Sequence, residues 1–520
     1  MMRKTRCLQF FLLLLVFQGI SFVLYAQDVL TYSATITQED LKKHLSYIAS
    51  DELEGRDTGS KGLQLAAKYI ANHFKEWGLI GPVRSNPTNP YLQPVPLKVT
   101  RFETTFTVKG KILEPFKDYI AINHQLSTSK SKTQLVFAGY GIDDEQYSDF
   151  KDKSINLKNK AVVIVNQEPR DGQGKYLLSG TDKPSEKWNI SKRVELLRKK
   201  GARYILVAIS DEIFYRYANA MKASAEKGII SLAGAAPRSW RLSGDIIIPI
   251  SSLPTLLSVD SAKLAQNVAG TIQTPFKARI KKIEEEIFSD NVVGLIEGTD
   301  KKEEVVVLSA HYDHVGIQEG QVMNGADDDG SGVVAVMEMA QAFAKAKAEG
   351  KGPRRSVLFL LVTAEEKGLL GSQYYTDQNP IFPLANTVAN LNIDMIGRID
   401  QRYKDDPNYV YIIGSDRLST DLHNIGQQVG EKYFPDLKLD YTYNDPNDPN
   451  RFYFRSDHYN FAKHGIPSVF YFNGTHQDYH QPTDDVEKIH FGKLEKIARY
   501  IFTTAWEIAN RQERLVVDKQ

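Results

Sequence analysis

The chain has 520 residues, a length that favours two domains, or one large domain with an insertion, over a single small domain. Hydrophobic residues make up 42% of the chain and charged residues 25%, which is ordinary for a globular protein. The formal net charge of +1 excludes the basic excess that nucleic-acid binding requires, so we expect no nucleic-acid partner.

The first 26 residues have the pattern of a signal peptide. Basic residues in Met1–Arg6 precede an apolar run from Leu8 to Leu24, and the small Ala26 provides a cleavage site before Gln27. An uncleaved membrane anchor is the alternative, but polar residues between positions 18 and 21 interrupt the apolar run. We therefore expect an exported protein, periplasmic or secreted, with no stable membrane insertion after signal cleavage.

The single cysteine, Cys7, lies in this predicted signal. The mature protein would therefore contain no thiol, which excludes disulfides, a cysteine nucleophile and a cysteine-type zinc site. Any bound metal would have to be held by His, Asp and Glu side chains.

The first part of the mature chain favours helices that pack by one apolar face. Within residues 37–79, Leu41, Leu45 and Ile48 recur at helical spacing, and a second amphipathic run, LQLAAKYIANHFKEWGL, ends at Gly78. Residues 90–100 then favour an extended segment.

Residues 111–283 differ in character, and we expect them to form a separate small α/β domain. One helix, Ile190–Lys200, is predicted, and turns rich in Gly, Asp, Lys and Pro separate short apolar runs. The predicted strands are Gln134–Phe137, Ala161–Val165, Tyr204–Ala208 and Ile246–Ile250.

From about residue 290, apolar strands alternate with helical segments such as Val333–Lys347 and Gly371–Tyr375. This alternation predicts an α/β fold with a central twisted, largely parallel (mixed) sheet flanked by helices. The predicted strands are Asn291–Glu297, Val305–Ala310, Ser356–Thr363 and Val388–Ile393.

Residues that can bind metal follow the ends of these strands. The carboxyl ends of parallel strands meet at one edge of a sheet, where functional groups gather. Imidazole and carboxylate groups are ligands for zinc and related divalent cations, so the set predicts a metal site at this edge. The set comprises His311 and Asp313, Glu365 and Glu366, Asp394, Asp328 in a glycine-flanked triple-aspartate loop, and the later His480.

The order of these motifs resembles the M28 family of dizinc aminopeptidases. The chain reads HxD, GADDDGSG, AEEKGLLGS, an Asp-Met pair after a strand and YHxPxD, and the resemblance is dense over residues 290–510. The segment LSYIASDELEGRDTGSKGLQLAAKYI is similar to the leading helices of the family. The resemblance implies a zinc-peptidase (aminopeptidase-like) domain formed by residues 27–110 and 284–515, with a protease-associated (PA)-like domain inserted at 111–283.

The resemblance also implies two Zn²⁺ ions and assigns five ligands to them. His311 and Asp394 would bind one ion, and Glu366 and His480 would bind the other. Asp328 would bridge both ions, with one carboxylate oxygen directed at each.

Other residues matched by the resemblance would support catalysis. Glu365 would be the general base, which takes the proton of the attacking water and passes it to the leaving amine. Tyr453, in the segment RFYFRSDHYNFAKHGIP, would donate to the oxyanion, with a core aromatic as the alternative. Asp313 would orient the ring of His311, and Asp457 would support the site without binding metal.

Several neighbouring polar residues are expected to be bystanders. His314 lies beside Asp313, but the resemblance fills both metal positions without it. Asp327 and Asp329 are expected to shape their loop, and Asp484 is expected to form a helix capping box with Glu487.

The implied activity is that of an exported zinc exopeptidase that removes residues from the N-terminus of peptides. A carboxypeptidase or a glutaminyl cyclase-like relative is the alternative on the same fold, and Arg398 and Arg455 would suit a substrate carboxylate. A non-catalytic binding ectodomain is the alternative of another class, but it would have lost ligands and none is lost here. The inserted domain could act as a lid or docking surface, and no oligomeric state is predicted.

Overall fold

The computed structural model describes residues 29–121, 126–151, 155–234, 244–259, 272–404 and 406–519. The chain divides into two units, one formed by Met1–Pro96 with Ile287–Gln520 and the other by Leu97–Glu286. The predicted inserted domain, 111–283, lies within the limits of the second unit. The predicted signal peptide, residues 1–26, lies outside the described residues. Within those residues, no helix has both the length and the apolar character needed to cross a membrane.

Strands and helices are numbered here in chain order. The strands are β1 Leu92–Val108, β2 Lys111–Ile112, β3 Ile120–Ala121, β4 Ser129–Phe137, β5 Ala161–Val165, β6 Tyr204–Ile209, β7 Ile229–Leu232, β8 Ile246–Pro249, β9 Gln273–Ile296, β10 Lys301–His311, β11 Ile317–Gln318, β12 Gln321–Val322, β13 Arg355–Val362, β14 Thr387–Ile393, β15 Tyr409–Ile413, β16 Lys438–Asp440 and β17 Ser468–Phe472. The helices are α1 Gln38–Ile48, α2 Lys61–Glu76, α3 Ile190–Lys199, α4 Asp211–Lys227, α5 Leu253–Leu257, α6 Gly332–Ala348, α7 Leu370–Asp377, α8 Thr420–Tyr433, α9 His458–Ala462 and α10 Phe491–Asn510.

The sheet of the first unit is mixed and largely parallel, as predicted. Its strand order is β16-β15-β17-β14-β10-β13-β9, to which β9 contributes its last residues. Strand β10 pairs in parallel with β13 and β14, and β14 pairs in parallel with β17. Antiparallel pairs join β9 to β13 and β15 to β17.

Both faces of this sheet are covered, which explains why its central strands are continuous apolar runs. On β10, Val306 and Leu308 belong to the core cluster that includes α1, α2, α6 and α10. Val305 and Val307 point to the opposite core, which includes Tyr375 of α7 and Phe461 of α9. Helices therefore flank the sheet on both sides.

The parallel register aligns the carboxyl ends of four strands. His311 at the end of β10 is opposite Val362 at the end of β13, and Ile393 of β14 is opposite Tyr471 of β17. Residues that directly follow these strands are therefore delivered to one edge of the sheet.

The second unit is a small α/β structure, in keeping with the sequence pattern. Its strands β4, β5, β6 and β8 pair in parallel in that order, and β4 also pairs antiparallel with the first residues of β9. Apolar side chains on the two faces of these strands form two separate core clusters.

Candidate active site

The predicted ligands converge at the aligned strand ends of the first unit. His311 ends β10, Glu365 and Glu366 follow β13, and Asp394 directly follows β14. His480 lies in the loop after β17, and Asp328 lies in the turn Ala326–Ser331, which leads into α6. Parallel pairing thus brings together side chains that are up to 169 residues apart (480 − 311).

Asp328 presents its two carboxylate oxygens to two different groups of ligands. The Oδ1 atom lies 3.3 Å from His311 Nε2, which is itself 3.6 Å from Asp394 Oδ1. The Oδ2 atom lies 3.0 Å from His480 Nε2, which is 3.1 Å from Glu366 Oε1. The structure therefore brings together the residue pairs that the sequence assigns to each metal ion, with Asp328 between the two pairs.

His314 also lies in the second group. Its Nδ1 atom is 3.0 Å from Glu366 Oε1 and 3.8 Å from Asp328 Oδ2. The residue is fully buried. This position is at odds with the prediction that His314 is a bystander.

The second group carries buried polar atoms that lack hydrogen bonds. Asp328 Oδ2, Glu366 Oε1, His480 Nε2 and His314 Nδ1 are all buried, and none of them has a hydrogen-bond partner among the described residues. Unsatisfied buried donors and acceptors are costly, and nitrogen and carboxylate oxygen are the ligand atoms that zinc prefers. The residues present therefore fit a bound divalent cation.

The negative charge of the cleft also favours a bound cation. Desolvation opposes protonation of His480, yet the carboxylates of Asp328 and Glu366 raise its pKa to about 10. For His311, desolvation again opposes protonation, and Glu365 and Asp394 raise its pKa well above the ordinary range. This excess of negative charge would be neutralised by cations.

Glu365 lies beside these groups in an environment that suits a proton carrier. Burial raises its pKa well above the ordinary range, and the carboxylates of Glu366 and Asp457 add to the effect. Its backbone N–H donates to Asp313 Oδ1 at 3.0 Å, while Asp313 Oδ2 accepts from Thr58 Oγ1 at 3.0 Å. Asp313 thus fixes the backbone position of Glu365.

Asp313, which is predicted to orient the His311 ring, contacts that ring through its backbone carbonyl group. His311 Nδ1 lies 3.0 Å from the backbone carbonyl oxygen of Asp313 and 3.9 Å from its carboxylate. The carbonyl accepts from Nδ1 and leaves Nε2 free to bind metal, so the orienting function remains with this residue. On the other side, Ser456 Oγ donates to Asp394 Oδ2 at 2.7 Å and leaves Asp394 Oδ1 facing His311.

Asp457, which is predicted to support the site without binding metal, is buried. Its Oδ1 accepts a hydrogen bond from Ser372 Oγ. Burial raises the pKa of Asp457 to about 7, and the carboxylates of Asp313 and Asp394 contribute. A partly protonated carboxyl here would limit repulsion with Glu365.

The aspartates that flank Asp328 hold the loop in place. Asp329 accepts from the backbone N–H groups of Gly332 and Met395, each at 3.0 Å, and from that of His311 at 3.3 Å. Asp327 accepts from the N–H of Gly397 at 2.6 Å. The Asp329 oxygens and Asp327 Oδ1 are therefore occupied by backbone donors, and Asp327 Oδ2 lies 3.2 Å from His476 Nε2. These contacts favour the predicted loop-shaping function.

Two supports of this loop were not predicted. Asp484 Oδ2 accepts from the N–H groups of Asp327 and Asp328 at 3.0 and 3.2 Å, which replaces the capping box expected for Asp484 with Glu487. The buried guanidinium of Arg56 donates to the carbonyls of Asn324 and Gly325 at 2.7 and 3.0 Å. An arginine in the motif LEGRDTG was the available signal, but its partners lie more than 250 residues away.

The cleft above the ligands is partly aromatic. It is lined by Phe452, Phe470, Phe472, Met395, Thr475, Arg455 and Tyr479, besides the carboxylates and His311. Tyr479 stacks on the ring of His480 with a centroid distance of 4.0 Å. Tyr453 is absent from these described lining residues, and its ring contacts Arg417 and His458 instead. Tyr479, which was not predicted, therefore has the better position for a contact with substrate.

Comparison with known proteins agrees with these features. Residues 291–505 match the profile of peptidase family M28. The chain is 25% identical over 321 residues to aminopeptidase YwaD of Bacillus subtilis (strain 168), a match that covers 59% of this chain and 63% of the relative. The chain thus spans less than two thirds of that relative's length.

Two solved structures share the fold. An aminopeptidase from Aneurinibacillus sp. strain AM-1 matches with a TM-score of 0.54 and 18% identity, covering 94% of this chain and 97% of the other. The zinc aminopeptidase BSAP from Bacillus subtilis matches with a TM-score of 0.51 and 18% identity, covering 92% and 97%. The segment that matches the profile of peptidase family M28, residues 291–505, is the part of this chain that carries the strand-end residues of the candidate site.

Proposed function

We propose that this protein is a dizinc aminopeptidase that hydrolyses the peptide bond after the N-terminal residue of a peptide. The observation that carries the proposal is the position of Asp328, which directs one oxygen to His311 and Asp394 and the other to Glu366 and His480. The second support is Glu365, a carboxyl beside the ligands that burial makes easier to protonate. The match of residues 291–505 to the profile of peptidase family M28 and the similarity to aminopeptidase YwaD support the reaction class.

In this proposal, His311 and Asp394 would hold one zinc ion, Glu366 and His480 would hold the other, and Asp328 would contribute one oxygen to each. Two bound zinc ions would lower the pKa of an attacking water and stabilise negative charge on the carbonyl oxygen of the substrate. The carboxylates of Asp328, Glu366 and Asp394 would offset much of the charge of the two ions.

Glu365 carries the proton in this proposal. The residue takes a proton from the water on attack and delivers it to the leaving amine, which is general base catalysis followed by general acid catalysis. Asp313 holds the backbone of Glu365 through the hydrogen bond to its N–H, so the carboxyl is presented to the cleft in one orientation. The raised pKa of Glu365 makes its carboxylate a stronger base, which makes the first transfer easier.

A tyrosine supplies the hydrogen bond to the developing oxyanion. The sequence pattern favours Tyr453, whereas Tyr479 lines the cleft next to the ligands. Burial raises the pKa of Tyr479, and the carboxylates of Asp328 and Glu366 raise it further, so its hydroxyl stays protonated as a donor.

The carboxylate-rich cleft suits a substrate ammonium group, which favours an N-terminal cleavage site. Arg455 also lines this cleft and is the observation that favours the alternative, a carboxypeptidase that binds a substrate carboxylate. The guanidinium of Arg455 lies over the ring of Phe452 at 4.9 Å, so it has a defined position at the opening.

A peptide panel separates the two alternatives. We expect the protein to cleave peptides with a free N-terminus, whether the C-terminus is free or amidated, and to leave N-acetylated peptides intact. Removal of metal by a chelator should abolish the activity, and added zinc should restore it. Cleavage of N-acetylated peptides from their C-terminus would replace the proposal with the carboxypeptidase, and activity that survives thorough chelation would overturn the metal mechanism.

We further propose that residues 1–26 export the protein to the periplasm or the medium and that residues 111–283 form an inserted PA-like domain. The sequence pattern of each segment supports these two statements. Cleavage of the N-terminal segment would be visible as a mature N-terminus at Gln27 in protein recovered from its final compartment.

A further inference from the structure

His314 occupies a position that the five predicted ligands do not explain. It is fully buried, and neither of its ring nitrogens forms a hydrogen bond with a described residue. Its Nδ1 nevertheless lies 3.0 Å from Glu366 Oε1 and 3.8 Å from Asp328 Oδ2. A buried imidazole that faces carboxylates without hydrogen bonding to them requires another partner.

The four atoms of this group face a common centre. His314, Asp328, Glu366 and His480 each offer one ligand atom, and these four atoms lie within 4.8 Å of one another. His314 and His480 approach with ring planes at 79° and centroids 5.4 Å apart, so the rings are not stacked. Ligands about 2.0–2.1 Å from one tetrahedral zinc ion lie roughly 3.4 Å from each other, which is close to the spacings seen here.

The backbone around His314 is built to hold the ring in this position. The His314 N–H donates to the carbonyl of Arg56 at 3.1 Å. A Cβ atom on Gly325 would approach the His314 ring carbon Cδ2 to 2.6 Å, which is too close. Gly325 also has φ +56°, a backbone conformation that favours glycine, so both the contact and the backbone require glycine here. The turn that carries Asp328 therefore leaves space for this imidazole.

The first group offers no equivalent of His314. Besides Asp328, its candidates are His311, Asp394 and Asp329, but the Asp329 carboxylate already accepts from three backbone N–H groups, so we do not count it as a ligand. Among the described residues, one position thus has four protein ligands and the other has three. A closed set of four is typical of tightly held zinc, whereas three ligands leave a coordination position for water or substrate.

We propose that His314 Nδ1 is a fourth protein ligand of the ion held by Asp328, Glu366 and His480. The inference rests on the proposed dizinc site and makes its two positions unequal. The ion at His314 is the tightly held one, and the ion at His311 and Asp394 is the more readily exchanged one that keeps an open position.

Zinc affinity tests the proposal without reference to activity. Metal-free protein would be titrated with zinc against a chromophoric chelator, and the bound zinc would be counted by elemental analysis. For the unaltered protein we expect two ions with clearly different affinities. His314→Gln, which removes the Nδ1 donor, should weaken the tighter ion by at least about 10–100-fold, and His314→Asn, whose side-chain oxygen can reach the same position, should recover part of the loss.

His44→Gln is the matched control. His44 is also buried and also faces a carboxylate, with His44 Nε2 3.3 Å from Glu338 Oε1, but it belongs to neither ligand group. This variant should bind both ions within about threefold of the unaltered protein, which is the scatter expected of a remote substitution. Unchanged affinity for both ions in a folded His314→Gln protein would overturn the proposal.

A measurement on the unaltered protein covers the case in which His314→Gln does not fold. X-ray absorption spectra of protein loaded with one equivalent of zinc should show two imidazole ligands, since His314 and His480 would bind the same ion. A single imidazole would overturn the proposal. The proposed dizinc aminopeptidase function would be contradicted by other results, namely a missing second ion or no activity on peptides with a free N-terminus. A protein that binds one ion and shows two imidazole ligands would still support His314 as a ligand.

Discussion

Glu365 and Glu366 are neighbours in the sequence and have different environments in the fold. Glu366 Oε1 faces His480 and His314, whereas Glu365 is held by its backbone N–H to Asp313 and lies near Asp457. Since β13 ends three residues before this pair, the chain is no longer extended there and the two side chains diverge. One carboxylate can therefore bind metal while the other moves protons.

Glu365→Gln should separate these two functions. The amide cannot accept the proton of the water, so we expect kcat to fall by about 10²–10⁴-fold while two zinc ions remain bound. Glu366→Gln is the comparison and should lose zinc as well as activity. Steady-state kinetics with elemental analysis would measure both, and a Glu365→Gln protein that keeps more than a tenth of the activity would exclude Glu365 as the base.

Tyr479 and Tyr453 can be distinguished by removing single hydroxyl groups. We expect Tyr479→Phe to lower kcat by about 10²–10³-fold, because loss of one oxyanion donor typically has that effect. Tyr453→Phe should stay within a few-fold, since the Tyr453 ring contacts Arg417 and His458 and is absent from the described lining of the cleft. The opposite outcome would restore the assignment of Tyr453 that the sequence favours.

His458 should make the fold sensitive to acid. Burial lowers the pKa of His458 to about 3, whereas an unfolded histidine titrates near 6.5. Between pH 6.5 and 3 the unfolded chain binds a proton that the folded chain does not. The free energy of unfolding therefore falls as pH falls through this window, by up to about 1.4 kcal/mol per pH unit.

His458→Phe removes the side chain that binds this proton in the unfolded chain. The free energy of unfolding should therefore depend less on pH. His458 stacks on Phe470 with a centroid distance of 5.0 Å, so a phenyl ring fits the contact. Denaturant unfolding of the metal-free protein at several pH values between 4 and 6.5 would measure the slope without a contribution from zinc release. An unchanged slope would show that His458 is not the group responsible.

At the scale of elements, apolar runs predicted three of the four strands whose aligned ends position the site. The predicted strands Val305–Ala310 and Val388–Ile393 correspond to β10 and β14, whose ends carry His311 and Asp394. Strand β17, which is equally buried, was not predicted because its five residues, SVFYF, follow a helical turn without a clear period. Helices α8 and α10 were also absent from the prediction.

Support between distant elements could not be predicted. Asp484 reaches the triple-aspartate loop across 157 residues, and Arg56 reaches it across 268. Neither contact leaves a periodic or spacing signal in the sequence. The same applies to His314, whose place beside Glu366 follows from the alignment of β10 with β13.

A substitution at Gly62 tests how closely α2 must pack on the turn Asp51–Arg56, which carries Arg56. It lies in the first turn of α2, and an added Cβ would meet the carbonyl oxygen of Leu53 at 1.8 Å, in the turn that carries Arg56. Gly62→Ala should therefore lower the free energy of unfolding by about 1–3 kcal/mol, the usual cost of overpacking.

Gly172→Ala is the control for Gly62→Ala, because nothing lies within 4 Å of its added Cβ. We expect this variant to stay within about 0.5 kcal/mol of the unaltered protein in a denaturant titration. Equal effects of the two substitutions would contradict the close packing of α2 on the turn Asp51–Arg56.

On the scale of the whole molecule, the described ligands all belong to one of the two units. The first unit supplies His311, Asp328, Glu366, Asp394 and His480, together with the Arg56 segment that supports their loop. The second unit, Leu97–Glu286, contributes to neither of the described ligand groups. The described groups that could hold a metal ion thus lie in the segment that matches the M28 profile, with support from the N-terminal part of the chain.

The central claim is that Asp328 bridges two zinc ions. Crystals grown with zinc and measured at the zinc absorption edge should show two anomalous peaks about 3.5–4 Å apart, one beside each carboxylate oxygen of Asp328. A single peak, or two peaks that do not share Asp328, would contradict it.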